Sequence, residues 1–417
     1  MTKTNFNNVS EETLKNYANL LVHTGGNVQA GQPVVISSDI ETAYFARMVQ
    51  DVAYDAGASD VSIMWGDSSS ARTRYLRAID EVFDDFPQWM VDRLKYWDDK
   101  NAVYLTIISS DPDLLNGVDP DRIRRFGKIS SEKTKEHSDN RMSYKVRWSL
   151  CAVPSAGWAK KVFPDLSEDE AVESLWEHII KAARADGVDP IADWKNHRQS
   201  FVDRVNYLNE QQFSKLRITT GLGTDITLGT PKDHVWKGGG SIDVVGLPFS
   251  PNIPTEEIFT APHRNISDGR VVASVPLSYR GNLIEGIDMT FKDGVITNFK
   301  ASKNHEALSS IIETDEGAKR LGEVALVPKS SPINQMNTLF YNTLYDENAS
   351  CHLAIGKAYP VNIKDGTSLS DDELLEKGIN NSLVHVDFMI GTDDMKVMGI
   401  YEDDREVVIF EGGEYKF

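Results

Sequence analysis

The 417-residue chain is 40% hydrophobic and 26% charged, the balance of a soluble globular protein with enough chain for two or three domains. Its net charge of -19 argues against a nucleic-acid partner, because contact with phosphates needs a basic surface. Two distant cysteines, Cys151 and Cys351, leave no CxxC zinc knuckle and no basis for a disulfide framework. The opening stretch MTKTNFNNVSEETLKNYANLL lacks the basic and apolar regions of a signal peptide, and no apolar run approaches the roughly 20 residues of a membrane helix. The chain is therefore expected to be cytoplasmic, with no membrane contact.

In chain order, QPVVISSD reads as a short strand running into a helix. Ser38 and Glu41 have capping-box spacing, Phe45, Met48, Val49, Val52 and Ala53 form a core-facing stripe, and Gly57 closes the helix. DVSIMWGD follows as a second strand, which makes a βαβ unit and implies a parallel sheet. AVYLTIISS and VRWSLCAVPS continue the strand pattern. Between Asp80 and Lys100 the chain reads as helix, with Pro87 a start or break. A helix with a Ser167/Glu170 capping box carries the stripe Val172, Leu175, Trp176, Ile179 and Ile180, and one long helix is expected over roughly Ile191 to Lys215.

Beyond about Leu216 the pattern turns to short alternating runs with Gly-rich turns, so an α/β domain over 1–215 and a mixed α+β, β-rich domain over 216–417 are expected. No phosphate loop, GxGxxG, HExxH or GxSxG motif is present, and GGGS, ending at Ser241, reads as a flexible loop.

Four pieces of the second half carry chemistry-bearing residues at the edges of apolar elements. They are SPNIPTEEIFTAP with Glu256 and Glu257, GEVALV with Glu323, LYDENASCHLAIGKAY with Glu347, His352 and Tyr359, and NNSLVHVDFMIG with His385 and Asp387. Strand alternation puts Val384, Val386 and Phe388 on one face and His385 with Asp387 on the other. That pair alone fits an ion pair, part of a triad, or two ligands of one metal. Taken singly, each residue has an ordinary reading as a solvated or hydrogen-bonded side chain. If the groups converge, two histidines with three or four carboxylates are too many for one catalytic zinc. They suit two ions about 3.5–4 Å apart, bridged by a carboxylate, and mixed N and O ligation suits zinc, cobalt or manganese better than magnesium.

Taken together and in order, the four pieces resemble the thermophilic-type metallo-aminopeptidases, the family of aminopeptidases T and S. The resemblance implies a dinuclear site that removes N-terminal residues from peptides. By motif it carries over Glu257, Glu323 as the bridging carboxylate, Glu347, His352, His385 and Asp387 as metal ligands. It also implies Tyr359 beside the metals, two divalent ions per chain, a peptide with a free N-terminus as substrate, and a homodimer; from that place Tyr359 is expected to donate a hydrogen bond to the tetrahedral oxyanion. Glu256, beside a ligand, is the candidate for moving a proton, although neighbours on a strand point oppositely. Other readings are a different dinuclear hydrolase, such as a phosphoesterase, or a non-catalytic metal-binding protein. No basic cluster accompanies the motifs to clamp a phosphate.

Overall fold

The computed structural model describes residues 9–109 and 111–417. Residues 1–8, which open the stretch read for a leader, and Ser110, which ends AVYLTIISS, lie outside the described residues. The first half is built on a four-stranded parallel sheet in the order Asp60–Gly66, Pro33–Asp39, Val103–Ile108, Trp148–Ala152. Val34, Val35 and Ile36 are fully buried because helices cover both faces of a parallel sheet. The stripe on Ala43–Asp55 buries Phe45, Val49, Val52 and Ala53 against Tyr17, Leu21 and Trp176 in one core. Ile253, Phe340 and Tyr345 from the second half join that core, so the two halves share packing.

Two expected helix details are corrected. Ser38 does not cap the helix: the strand runs on to Asp39, whose side chain accepts from the Glu41 N–H and opens a short 3-10 turn, Ile40–Thr42. The capping role has moved one residue because Ser38 instead pairs its hydroxyl with Thr42. The single helix over 191–215 is two, Pro190–Ser200 and Val202–Gln211, broken where Phe201 turns into the core. The Ser167/Glu170 capping box forms as expected, and Pro87 sits at the N-cap of Gln88–Asp99.

After Gln211 the architecture becomes antiparallel. One sheet has eight strands and wraps a core with Leu216, Ile226, Val271 and Met289. A second has five, in the order His385–Met389, His352–Gly356, Leu321–Leu326, Ile258–Thr260, Lys237–Gly238. Val324, Leu353, Ile355, Val386 and Phe388 anchor one face of this sheet in the core. No helix among the described residues is long and apolar enough to cross a membrane.

Candidate metal centre

Pairing across the five-stranded sheet fixes where the polar side chains meet. Directly opposed residues of an antiparallel pair share a face. Glu323 and Asp387 both oppose Ala354 on the central strand, from either side. His385 opposes Gly356, and His352 opposes Ala325. Along His352–Gly356, one face therefore carries His352, Ala354 and Gly356, and the small side chains at the last two leave a hollow between Glu323 and Asp387. A register shift between Leu321 and Glu323 sits at Gly322, where an added Cβ would lie 2.5 Å from the Gly356 and Lys357 carbonyl oxygens.

The side chains converge in that hollow. Glu257 Oε2 lies 3.1 Å from His352 Nε2. Glu323 Oε1 is 3.5 Å from the same nitrogen, and its Oε2 is 3.8 Å from His385 Nε2. Asp387 Oδ1 is 3.4 Å from His385 Nε2. Two groups with ligand atoms within 4.8 Å result: Glu257, Glu323 and His352; and Glu323, His385 and Asp387. Glu323 belongs to both.

Both histidines are oriented from behind. His352 Nδ1 faces the Ser350 carbonyl at 3.0 Å, and His385 Nδ1 faces the Lys357 carbonyl at 2.6 Å. A carbonyl accepts only, so each Nδ1 carries a proton and donates it, and Nε2 is turned toward the carboxylates. Lys357 is itself paired through its ammonium with Asp139 of the first half.

The residues fit divalent cations. His352 Nε2 and Asp387 Oδ1 are buried beside oppositely charged neighbours but form no well-aligned hydrogen bond, which leaves both free to face a cation. Burial and the neighbouring Glu257 charge push the Glu323 carboxyl up to about 7, with His352 opposing the rise. Burial, Asp387 and Glu257 hold Glu347 well above the usual carboxylate range. Burial alone would depress His385, but the Asp387 charge lifts it to about 9. Carboxylates buried this close together call for compensating positive charge, which divalent cations would supply.

Three expected residues lie outside the two groups. Glu347, on the helix Thr343–Ala349, is buried at the edge of the hollow and accepts from Asn252 Nδ2 at 3.3 Å. Tyr359 packs edge-on against His385, with ring centroids 5.3 Å apart, and burial with the Glu323 charge raises its phenol well above the ordinary value. Glu256 points elsewhere: its Oε1 lies 2.6 Å from Arg184 and 3.7 Å from His197. Its backbone N–H donates to Asn348 Oδ1 at 2.6 Å, which ties the Glu257 segment to the helix bearing Glu347.

Glu257, Glu323, Glu347, Tyr359, His385 and Asp387 all line a cavity of about 690 Å³. Part of its wall comes from the first half, including Ile123, Phe126, Tyr144 and Trp148. The wall residues of the first half, and the small residues Ala354 and Gly356, had no distinctive signal in the sequence; tertiary packing places the former and strand register the latter.

Comparison with known proteins gives the chain its relatives. The model of the family described as Thermophilic metalloprotease (M29) matches residues 10–415. Aminopeptidase AmpS of Bacillus subtilis is 44% identical over 406 residues, covering 97% of this chain and 99% of that protein. Aminopeptidase 2 of Geobacillus stearothermophilus is 42% identical over 407 residues, 98% of each. The solved structure of wild-type AmpT from Thermus thermophilus superposes with a TM-score of 0.89 at 37% identity, covering 98% of this chain and all of that one. A match along nearly the whole chain places it in the thermophilic metalloprotease (M29) family, as a metal-dependent aminopeptidase.

Proposed function

We propose that the hollow holds two divalent ions, with Glu257 and His352 on one, His385 and Asp387 on the other, and Glu323 shared. The observation that carries this reading is that the two oxygens of one carboxylate face two different histidines. Glu347 is kept as a sixth ligand at the edge of the site. Mixed nitrogen and oxygen donors favour zinc, cobalt or manganese over magnesium. When bound, such a pair polarises a carbonyl and lowers the pKa of water between the ions.

The chain's own residues supply the rest. The Tyr359 phenol, kept protonated by burial and by the Glu323 charge, donates a hydrogen bond to the oxyanion that develops on the scissile carbonyl. The Glu347 carboxylate, at the edge of the same cavity, is what the chain offers to take a proton there and pass it to the leaving amine. Phe259, Tyr144 and Trp148 wall the site and exclude bulk water from it. The substrate is a peptide with a free N-terminus. A phosphoesterase is disfavoured, because Arg280 is the one Lys or Arg among the described residues lining the cavity.

The reading further includes a two-unit chain divided near residue 215, a cytoplasmic location and a homodimer; sedimentation at micromolar concentration tests the last. The metal reading is tested by counting ions in the dialysed protein and following hydrolysis of an aminoacyl anilide. Two ions per chain, with turnover lost to chelator and restored by metal, are expected. Turnover that survives complete removal of metal would overturn it.

A further inference from the structure

Five carboxylates line the cavity, Asp111, Glu257, Glu323, Glu347 and Asp387, against one guanidinium, that of Arg280. In a chain of net charge -19 a lone cation on such a wall is conspicuous. Arg280 sits at the turn of a two-stranded hairpin, Leu277–Tyr279 with Asn282–Ile284, separate from the metal-bearing sheet. The hairpin reaches the first half: a Cβ on Gly281 would lie 2.8 Å from the Leu115 backbone nitrogen.

The guanidinium has a prepared seat there. Gly127 is buried inside the helix Pro120–Lys133, and a Cβ on it would lie 1.5 Å from Arg280 Nη1. Glycine in a helix interior costs about 1 kcal/mol relative to alanine, and here its missing side chain is the space the guanidinium occupies. The guanidinium also lies 5.3 Å from the Tyr279 ring centroid and forms no ion pair among the described residues. It is exposed to the cavity with its planar fork of donors uncommitted.

From this we infer that Arg280 receives the C-terminal carboxylate of short peptide substrates. The inference rests on the proposed metal reading, because the ions fix which end of the peptide lies in the hollow. A cavity of this size encloses a compact ligand, so the far end of a short peptide falls inside it rather than in bulk solvent. There Arg280 is the one cationic side chain, the ligand carboxylates being engaged by the proposed ions, and a guanidinium binds a carboxylate through two parallel hydrogen bonds. The surface thus discriminates by charge at the substrate's tail, independently of the chemistry at its head.

The test compares trialanine with its C-terminal amide on the metal-loaded enzyme. An exposed ion pair is worth up to roughly 1 kcal/mol, so wild-type kcat/KM should favour the free acid roughly fivefold, mostly through KM. The preference should shrink as salt is raised. In R280Q the acid-to-amide ratio should fall to about one, and in R280K much of it should remain. G127A, which displaces the guanidinium, should behave as R280Q does. A wild-type ratio of one, or an R280Q ratio equal to wild type, overturns the inference. If R280Q loses its metal, the R280K ratio decides: a retained preference supports the inference and a ratio of one overturns it. Failure of the metal reading looks different, because then neither acid nor amide is cleaved in a chelator-sensitive way.

Discussion

Glu323 stands between His352 and His385, with one carboxylate oxygen 3.5 Å from the first Nε2 and the other 3.8 Å from the second. Replacing it by alanine removes the one group common to both halves of the site. Metal content should fall from two ions toward none and aminoacyl anilide hydrolysis should vanish with it. Elemental analysis and a rate measurement on the same sample check this; full turnover in E323A would refute the assignment.

Tyr359 touches no metal in this account and acts only on the developing oxyanion. Tyr359→Phe should lower kcat by roughly 10²-fold, as loss of one oxyanion donor does elsewhere. Metal content and KM should stay near wild type. An unchanged kcat would remove the residue from the mechanism.

Ala354 is paired with Glu323 on one side and Asp387 on the other, and its small side chain keeps the hollow open. Ala354→Leu fills that space without removing a ligand. Overpacking costs about 1–3 kcal/mol of stability, but the larger effect should be on ion binding, read as a metal content well below two per chain. No ligand is removed, so normal loading in A354L would mean that the ions sit elsewhere.

Arg184 compensates the buried Glu256 carboxylate. Arg184→Gln leaves that charge without its partner, and a loss of about 3 kcal/mol is expected. Glu256→Gln should cost less, since a neutral amide tolerates burial better. Both variants should still bind two ions and turn over, which thermal melting and metal analysis read separately. Loss of kcat in E256Q at full metal content would restore Glu256 as a catalytic group.

His197 supplies a pH dependence of stability. Burial, reinforced by the Arg184 charge, pushes its pKa down from 6.5 to about 4 while its Nε2–H donates to the Thr255 carbonyl at 2.8 Å. Between those values the unfolded chain takes up a proton that the folded chain refuses, so stability falls as pH drops from about 6.5 to 4 and is fully present above 6.5. Melting temperatures across this window should fall less steeply in His197→Gln. Parallel curves for the two proteins would show that His197 does not contribute.

The sequence was informative where a residue's role depends on its near neighbours. The alternation of VHVDF puts His385 and Asp387 on one face and Val386 and Phe388 in the core, as the strand His385–Met389 does. Ser167 caps its helix because its partner Glu170 is three residues away. Ser38 and Glu41 show the same spacing, yet the strand's extension to Asp39 hands the cap to the next carboxylate. Glu323's position between two histidines depends on pairing with residues some thirty and sixty positions downstream, and nothing local encodes that register. Likewise Glu256 and Glu257 look alike to composition and local pattern, and Arg184, more than seventy positions upstream, is what claims Glu256.

The central claim is that Glu323 joins two ions in one site, and anomalous scattering from crystals soaked in zinc or cobalt tests it most directly. Two peaks about 3.5–4 Å apart, one beside Glu257 and His352 and the other beside His385 and Asp387, with Glu323 touching both, are predicted. A single peak, or a pair of peaks that leaves Glu323 uncoordinated, would contradict the account.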